Sequence, residues 1–199
     1  QCVVPLFALK KKYGLKSVDY HTYQAVSGAG IKGVNDLDRD EKSEFSHFVY
    51  DIKKTCIPHI GEFLYDGYTE EEHKMMAETK KILEDEKLLV SATCIRVPVP
   101  NAHGVSMHVL LDQAFDLQEL KECLKQQEGI MLCDDPFNLD YPTSVIADNN
   151  DFIYVGRLRR DTKNPKGLLM YVVSDNLRKG AATNAVFIMK GLMDYGNHM

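Results

Sequence analysis

Two strand-like runs, Leu88 to Val99 and Val105 to Leu111, are separated only by Pro100-Asn101-Ala102-His103-Gly104. A helical crossover does not fit into that connector, because a parallel return needs about a dozen residues or more. The two runs are therefore expected to be neighbouring strands with His103 at or near the turn. Adjacent strands that lack crossover helices argue against a doubly wound fold. The expected class is α+β, with a mixed, largely antiparallel sheet covered by helices in one domain over residues 1–199.

The remaining elements follow from period and punctuation. Gln1 to Tyr13 reads as a helix that ends in Lys10, Lys11 and Lys12 before Gly14, a cationic stop followed by a glycine. It starts without a capping residue, so the chain is expected to be a piece of something longer. Ser17 to Val26 reads as a strand running into the Ser27-Gly28-Ala29-Gly30 turn, and Ile31 to Glu44 as a helix. Thr69 and Glu72 make a capping box for a helix to about Glu84, and Asp116 caps another to Gln127. Ile130 to Cys133, Phe152 to Arg159 and Leu168 to Ser174 add three strands. Asp175 caps a closing helix to about Tyr195.

Composition narrows the functions. With 44% hydrophobic and 27% charged residues the chain can build an ordinary core, and a net charge of −5 argues against a nucleic-acid surface. No apolar run approaches the ~20 residues that span a bilayer, so no membrane role and a cytoplasmic location are expected. Five cysteines, none in a Cys-x-x-Cys pair, fit reduced thiols. No zinc spacing is seen among them and the seven histidines, and no metal is expected.

Chemistry concentrates in two segments. Residues 22–30, TYQAVSGAG, offer the Gln24 amide and a small-residue turn. Residues 90–103, VSATCIRVPVPNAH, offer the Arg96 guanidinium and the His103 imidazole. An amide positions a nucleophile, a guanidinium grips an anion with a bidentate fork, and an imidazole moves protons near neutral pH. Neither segment supplies an evident nucleophile. Cys2 lies beside Val3 and Val4 in an apolar setting and Cys94 on a strand, and both read as buried, inert thiols.

Those motifs, with GYTEEEHKM at 67–75, DDP at 134–136, YPT at 141–143, FIYVGRLRRD at 152–161 and VVSDNLRKGAATNAV at 172–186, resemble the C-terminal catalytic and dimerisation domain of aspartate-β-semialdehyde dehydrogenase. The resemblance covers nearly the whole chain. It implies a glyceraldehyde-3-phosphate-dehydrogenase-like domain. The implied reaction is NADPH-dependent reduction of β-aspartyl phosphate to aspartate semialdehyde, with release of phosphate, on the route to lysine, threonine and methionine. The nucleophilic cysteine and the NADP-binding domain are placed upstream of Gln1, so the isolated chain is expected to be inactive.

The resemblance also assigns roles to individual residues. Gln24 is the glutamine that orients the nucleophile, and His103 is the acid/base histidine. Arg96 holds the substrate carboxylate, while Glu71 and Lys74 help to bind substrate or its phosphate. Ser27, Gly28, Ala29 and Gly30 approach the nicotinamide end of NADP, and Asn176 makes a weaker cofactor contact. Residues 176–195 close onto the absent cofactor domain, and the assembly is a homodimer or homotetramer. Taken alone, Glu71 and Lys74 are an i, i+3 pair on a solvated helix face, and Asn176 is a helix cap.

Two departures stand out. The stretch between Gly33 and Pro58 is shorter than in many relatives, and Gly104 stands where serine is frequent, a change expected to loosen the histidine loop. Three other readings remain open. They are a non-catalytic dimerisation module, a paralogue without the cysteine, and an N-acetylglutamyl-phosphate reductase.

Overall fold

The computed structural model describes residues 1–39 and 46–196. Six strands form one sheet: β1 (Leu15–Gln24), β2 (Leu89–Arg96), β3 (His103–Leu111), β4 (Ile130–Leu132), β5 (Ile153–Arg160) and β6 (Gly167–Ser174). Their order is β2-β1-β3-β6-β5-β4. The two outer pairs, β1 with β2 and β4 with β5, are parallel, and the three inner pairings are antiparallel. The mixed, largely antiparallel sheet is as expected from the short connectors.

One expectation fails. β2 and β3 are not neighbours, because β1 lies between them. Their connector runs instead across the end of β1, where Val97 N–H donates to the Gln24 carbonyl and Val26 N–H donates to the Val99 carbonyl. Pro98 and Pro100 carry no N–H for a ladder, which suits them to this crossing and not to a tight hairpin.

Alternation along the strands divides the sheet into two unlike faces. Val18, Tyr20, Ala92, Val105, Met107, Val109, Val155, Met170 and Val172 point to one side and join the principal core. That side is covered by α1 (Val3–Tyr13), α3 (Glu70–Ile82) and α4 (Leu117–Lys125). Leu6 and Leu9 of α1 and Leu120 and Leu124 of α4 are fully buried there. Each such leucine stabilises the fold by roughly 1.5–3 kcal/mol relative to exposure. The other side shows Tyr23 at 39% exposure, with exposed His21, Ser91 and Thr93 and half-buried His108 and Tyr171.

Local signals account for the helix ends. In α3, Thr69 Oγ1 accepts from Glu72 N–H and the Glu72 carboxylate accepts from Thr69 N–H, so the capping box is formed. Asp116 accepts from Gln118 and Glu119 N–H at the start of α4. α1 begins at Val3, not Gln1, which frees the Gln1 side chain for other contacts. α2 (Gly30–Asp38) begins one residue earlier than expected, and its expected continuation to Glu44 lies outside the described residues. After β6, Asp175 accepts from Leu177 and Arg178 N–H, and a wide turn over Arg178–Ala182 leads into the closing helix. The short α5 (Ser144–Ala147), capped by Thr143, was not anticipated from the sequence. The closing helix, α6 (Thr183–Gly196), leaves Phe187, Ile188, Met189, Leu192 and Met193 about half exposed or more.

Candidate active site

Strand register assembles three side chains that the sequence separates. Parallel pairing sets Gln24 beside Arg96, and antiparallel pairing of Tyr23 with Gly104 brings His103 to the same end of the sheet. β6 extends the row, since Ser174 pairs with His103. All four residues follow the alternation of their strands, so they face the helix-covered side. Gln24 and His103 border a cavity of about 200 Å³ lined also by Cys2, Thr22, Glu71 and Met75.

Each group is held by identifiable bonds. Gln24 Nε2 donates to Glu71 Oε1 at 3.3 Å, tying the strand end to the first turn of α3. Arg96 Nη1 donates to the Ala25 carbonyl at 2.6 Å. The Arg96 backbone pairs with Ile57 on its outer side, through Ile57 N–H to Arg96 O and Arg96 N–H to Ile57 O. Gln1 Nε2 donates to the His103 carbonyl at 2.9 Å, while Ser174 Oγ donates to Gln1 Oε1 at 2.8 Å.

Arg96 is 5% exposed, and its buried Nε has no hydrogen-bond partner among the described residues. Burial pulls its proton affinity down and the nearby Glu71 carboxylate opposes this, yet no ion pair is formed with it among the described residues. A buried guanidinium with unused donors is an anion receptor, because leaving its fork unpaired is costly.

His103 has a defined tautomer. Ala25 N–H donates to its Nδ1 at 3.0 Å, so Nδ1 is the acceptor and the neutral ring carries its proton on Nε2. Burial, then the Arg96 guanidinium, pulls the imidazole down to about 3, with Asp175 acting in the opposite direction. The neutral ring therefore presents an Nε2–H donor next to Arg96. Gly28 lies at their meeting point: a β-carbon there would stand 2.7 Å from Arg96 Nη1 and 3.0 Å from His103 Nε2.

Ser27 and Asn176 bond to one another, Asn176 Nδ2 donating to Ser27 Oγ at 3.0 Å, and Asn176 Oδ1 accepts the Ala102 N–H. The cap at this position is Asp175, so Asn176 has a tertiary role in place of the capping one. Ala29 and Gly30 lead away from the cluster, and the space over Gly30 (φ 69°) is open. Lys74 is largely exposed and reaches Glu71 Oε2 at 3.3 Å; among the described residues its bond is to Glu71, not to a member of the row.

The structure also corrects the expectation for Gly104. The Tyr171 hydroxyl occupies the position its β-carbon would take, so the histidine loop is filled and not loosened. Gln1, Asn101, Ser174 and Asp175 belong to the cluster although they were not singled out for it. Asn101 and Ser174 lie inside quoted motifs and Asp175 had been read only as a cap. Gln1 gave no signal beyond its place at the helix start. Both thiols near the site are raised to about 11 by burial, Cys2 and Cys94 alike, which makes them poor nucleophiles as expected.

The family described as semialdehyde dehydrogenase, dimerisation domain, matches residues 6–179. The chain belongs to the semialdehyde dehydrogenase dimerisation domain family. Among curated relatives, the aspartate-semialdehyde dehydrogenase of Aquifex aeolicus is 43% identical over 204 residues, covering 98% of this chain and 60% of its own length. Aspartate-semialdehyde dehydrogenase 2 of Vibrio cholerae is 40% identical, covering 96% of the chain and 59% of its own. A solved structure of aspartate semialdehyde dehydrogenase II from Vibrio cholerae, complexed with ASA, has a TM-score of 0.91 at 37% identity, with 98% and 59% coverage. This semialdehyde dehydrogenase domain thus spans about 60% of the length of the relatives it matches, and its α+β fold is theirs.

Proposed function

We propose that this domain supplies the substrate-binding and proton-handling half of an NADP-dependent aspartate-semialdehyde dehydrogenase. The observation that carries the reading is the row Arg96, Gln24 and His103 at one end of the sheet, with a buried guanidinium at its edge whose Nε has no partner among the described residues. The names of the relatives above support the choice of reaction over N-acetylglutamyl-phosphate reduction.

In this reading Arg96 receives the substrate α-carboxylate through its free donors, and Glu71 holds the Gln24 amide toward the reacting carbon. His103 Nε2–H donates to the oxygen on which charge develops, since its Nδ1 is already engaged by Ala25 N–H. Lys74, exposed on α3 and paired with Glu71, adds positive charge for phosphate. The nucleophile is a cysteine ahead of Gln1, whose side chain bonds the His103 carbonyl and so borders the same cavity. Cys2 is set aside because its thiol is buried and raised.

The nicotinamide of NADP, when bound, accepts or returns hydride. The residues fit a flat ring: Gly28 is exposed and the space over Gly30 is open, so backbone can approach closely at Ser27 to Gly30. Asn176, which bonds Ser27, offers an amide there for a polar contact. The exposed apolar side chains of α6 are the surface that closes onto the nucleotide-binding domain, and the exposed part of the second sheet face, around Tyr23, pairs with a second subunit.

The test is phosphate-dependent reduction of NADP with aspartate semialdehyde by the full-length enzyme. His103→Ala is expected to lower kcat by roughly 10²–10⁴ fold, the usual range for a lost proton-transfer group. Arg96→Lys is expected to raise KM for the semialdehyde. Full activity of both variants would refute the assignment.

A further inference from the structure

We infer that Asp175 is a positioning residue for His103, anchoring through Asn101 and Asn176 the backbone at Ala102 that aims the imidazole; this rests on the function proposed above. Asp175 is 1% exposed, and its carboxylate accepts four hydrogen bonds. Oδ1 takes Leu177 N–H at 2.8 Å and Arg178 N–H at 3.0 Å; Oδ2 takes Asn101 Nδ2 at 2.8 Å and Asn149 N–H at 2.9 Å. A buried charge so fully satisfied joins three segments, namely the β2–β3 connector, the loop after α5 and the start of the closing turn.

The segment it holds is strained. Ala102 has φ 68°, in the left-handed region that a residue with a β-carbon enters at a cost, and it directly precedes His103. Asn101 is held on one side by Asp175 and bonded on the other by Ser27 Oγ, while Asn176 Oδ1 holds the Ala102 N–H. The turn that Asp175 caps fixes Asn176 in turn. Together with the packing of Ala102 beside Ala147 and Val173, these bonds hold its left-handed backbone, and their loss misaligns the Ala25 N–H to Nδ1 bond that sets the ring tautomer.

The charge acts as well as the geometry. The titratable groups around His103 are Arg96 on β2, Glu71 and Glu78 on α3, Cys2 ahead of α1, and Asp175 beyond β6. Asp175 favours the protonated ring and Arg96 disfavours it. Removing the negative charge moves the protonation of His103 to lower pH.

The experiment places Asp175→Asn, Asn101→Ala and Asp148→Asn in the full-length enzyme. Asp148 is the exposed carboxylate that shares Asn101 Nδ2 at 2.6 Å, and its variant is expected to be unchanged. Asp175→Asn is expected to lower kcat roughly ten- to hundredfold with KM within about twofold, and to move the His103 limb of the pH profile to lower pH, as when the partner that orients a functional imidazole is lost. ¹⁵N shifts of the His103 ring, read without turnover, change from one Nε2–H tautomer to a mixture. A folded Asp175→Asn variant with kcat, pH limb and ring tautomer unaltered would overturn the inference. Where that variant does not accumulate, Asn101→Ala decides by the same kcat and tautomer readings. Inactive wild-type enzyme or a fully active His103→Ala variant sinks the proposed function instead, and the tautomer measurement still decides the role of Asp175.

Discussion

Gly28 lies where Arg96 and His103 meet, and a methyl group added there crowds both side chains. Gly28→Ala is therefore expected to lower kcat/KM of the full-length enzyme at least tenfold, on the order of 1.4 kcal/mol of transition-state stabilisation, with little change in melting temperature. A Gly28→Ala enzyme with wild-type kcat/KM would show that the two groups do not act at this point. His103 makes a second prediction, about stability. Its proton affinity is depressed in the fold from the ordinary 6.5 to about 3, so the native state binds fewer protons than the unfolded chain between those values. The contribution is fully present above the unfolded value and is lost as pH falls toward the folded one. His103→Asn is expected to lose less stability than wild type between about pH 7 and pH 4 in urea unfolding. The row Gln24, Arg96 and His103 was legible in the sequence through the motifs that carry the family resemblance, whereas taken alone Gln24 reads as a strand-end amide and His103 as a loop residue. Asp175 was legible only as a cap, since four hydrogen bonds from three segments are a tertiary fact that no spacing encodes.

Among the helices, α4 and α3 make contrasting claims on stability. Leu120 is fully buried under the sheet, and Leu120→Ala is expected to cost about 2–5 kcal/mol, as other buried leucines do when truncated. Thr69→Ala removes half of a capping box and is expected to cost about 1 kcal/mol. Glu72 is the more demanding position, because its carboxylate also accepts the Cys94 N–H at 2.9 Å and so fastens α3 to β2. Glu72→Ala should therefore destabilise more than Thr69→Ala in the same denaturation series; equal losses would mean the bond to Cys94 contributes nothing. Period and punctuation were enough to find these helices. They were not enough to order the strands: the short connector between β2 and β3 suggested a hairpin, yet β1, from far upstream, inserts between them. Connector length limits how two strands are joined, and it says nothing about a third that enters the gap.

At the scale of the whole molecule α1, α3 and α4 cover one face of the sheet, α5 and the segment before it cover the other only over β5 and β6, and the rest of that face carries Tyr23, His21, Thr93 and His108. If that face meets a second copy, Tyr23→Asp is expected to convert the full-length enzyme to monomer in light scattering at micromolar concentration. A wild type already monomeric there, or a variant still dimeric, would remove the face from the assembly. The position of β1 has a further consequence, which concerns time. Ala25 and Arg96 are 71 residues apart, and the hydrogen bond between them requires β1 to have entered between two strands that follow it in the chain. Long loops must close before such contacts return any energy, so they are slow to form. Recovery of activity after dilution from denaturant should therefore trail the return of helical signal, and the pocket is completed only when the centre of the sheet has closed.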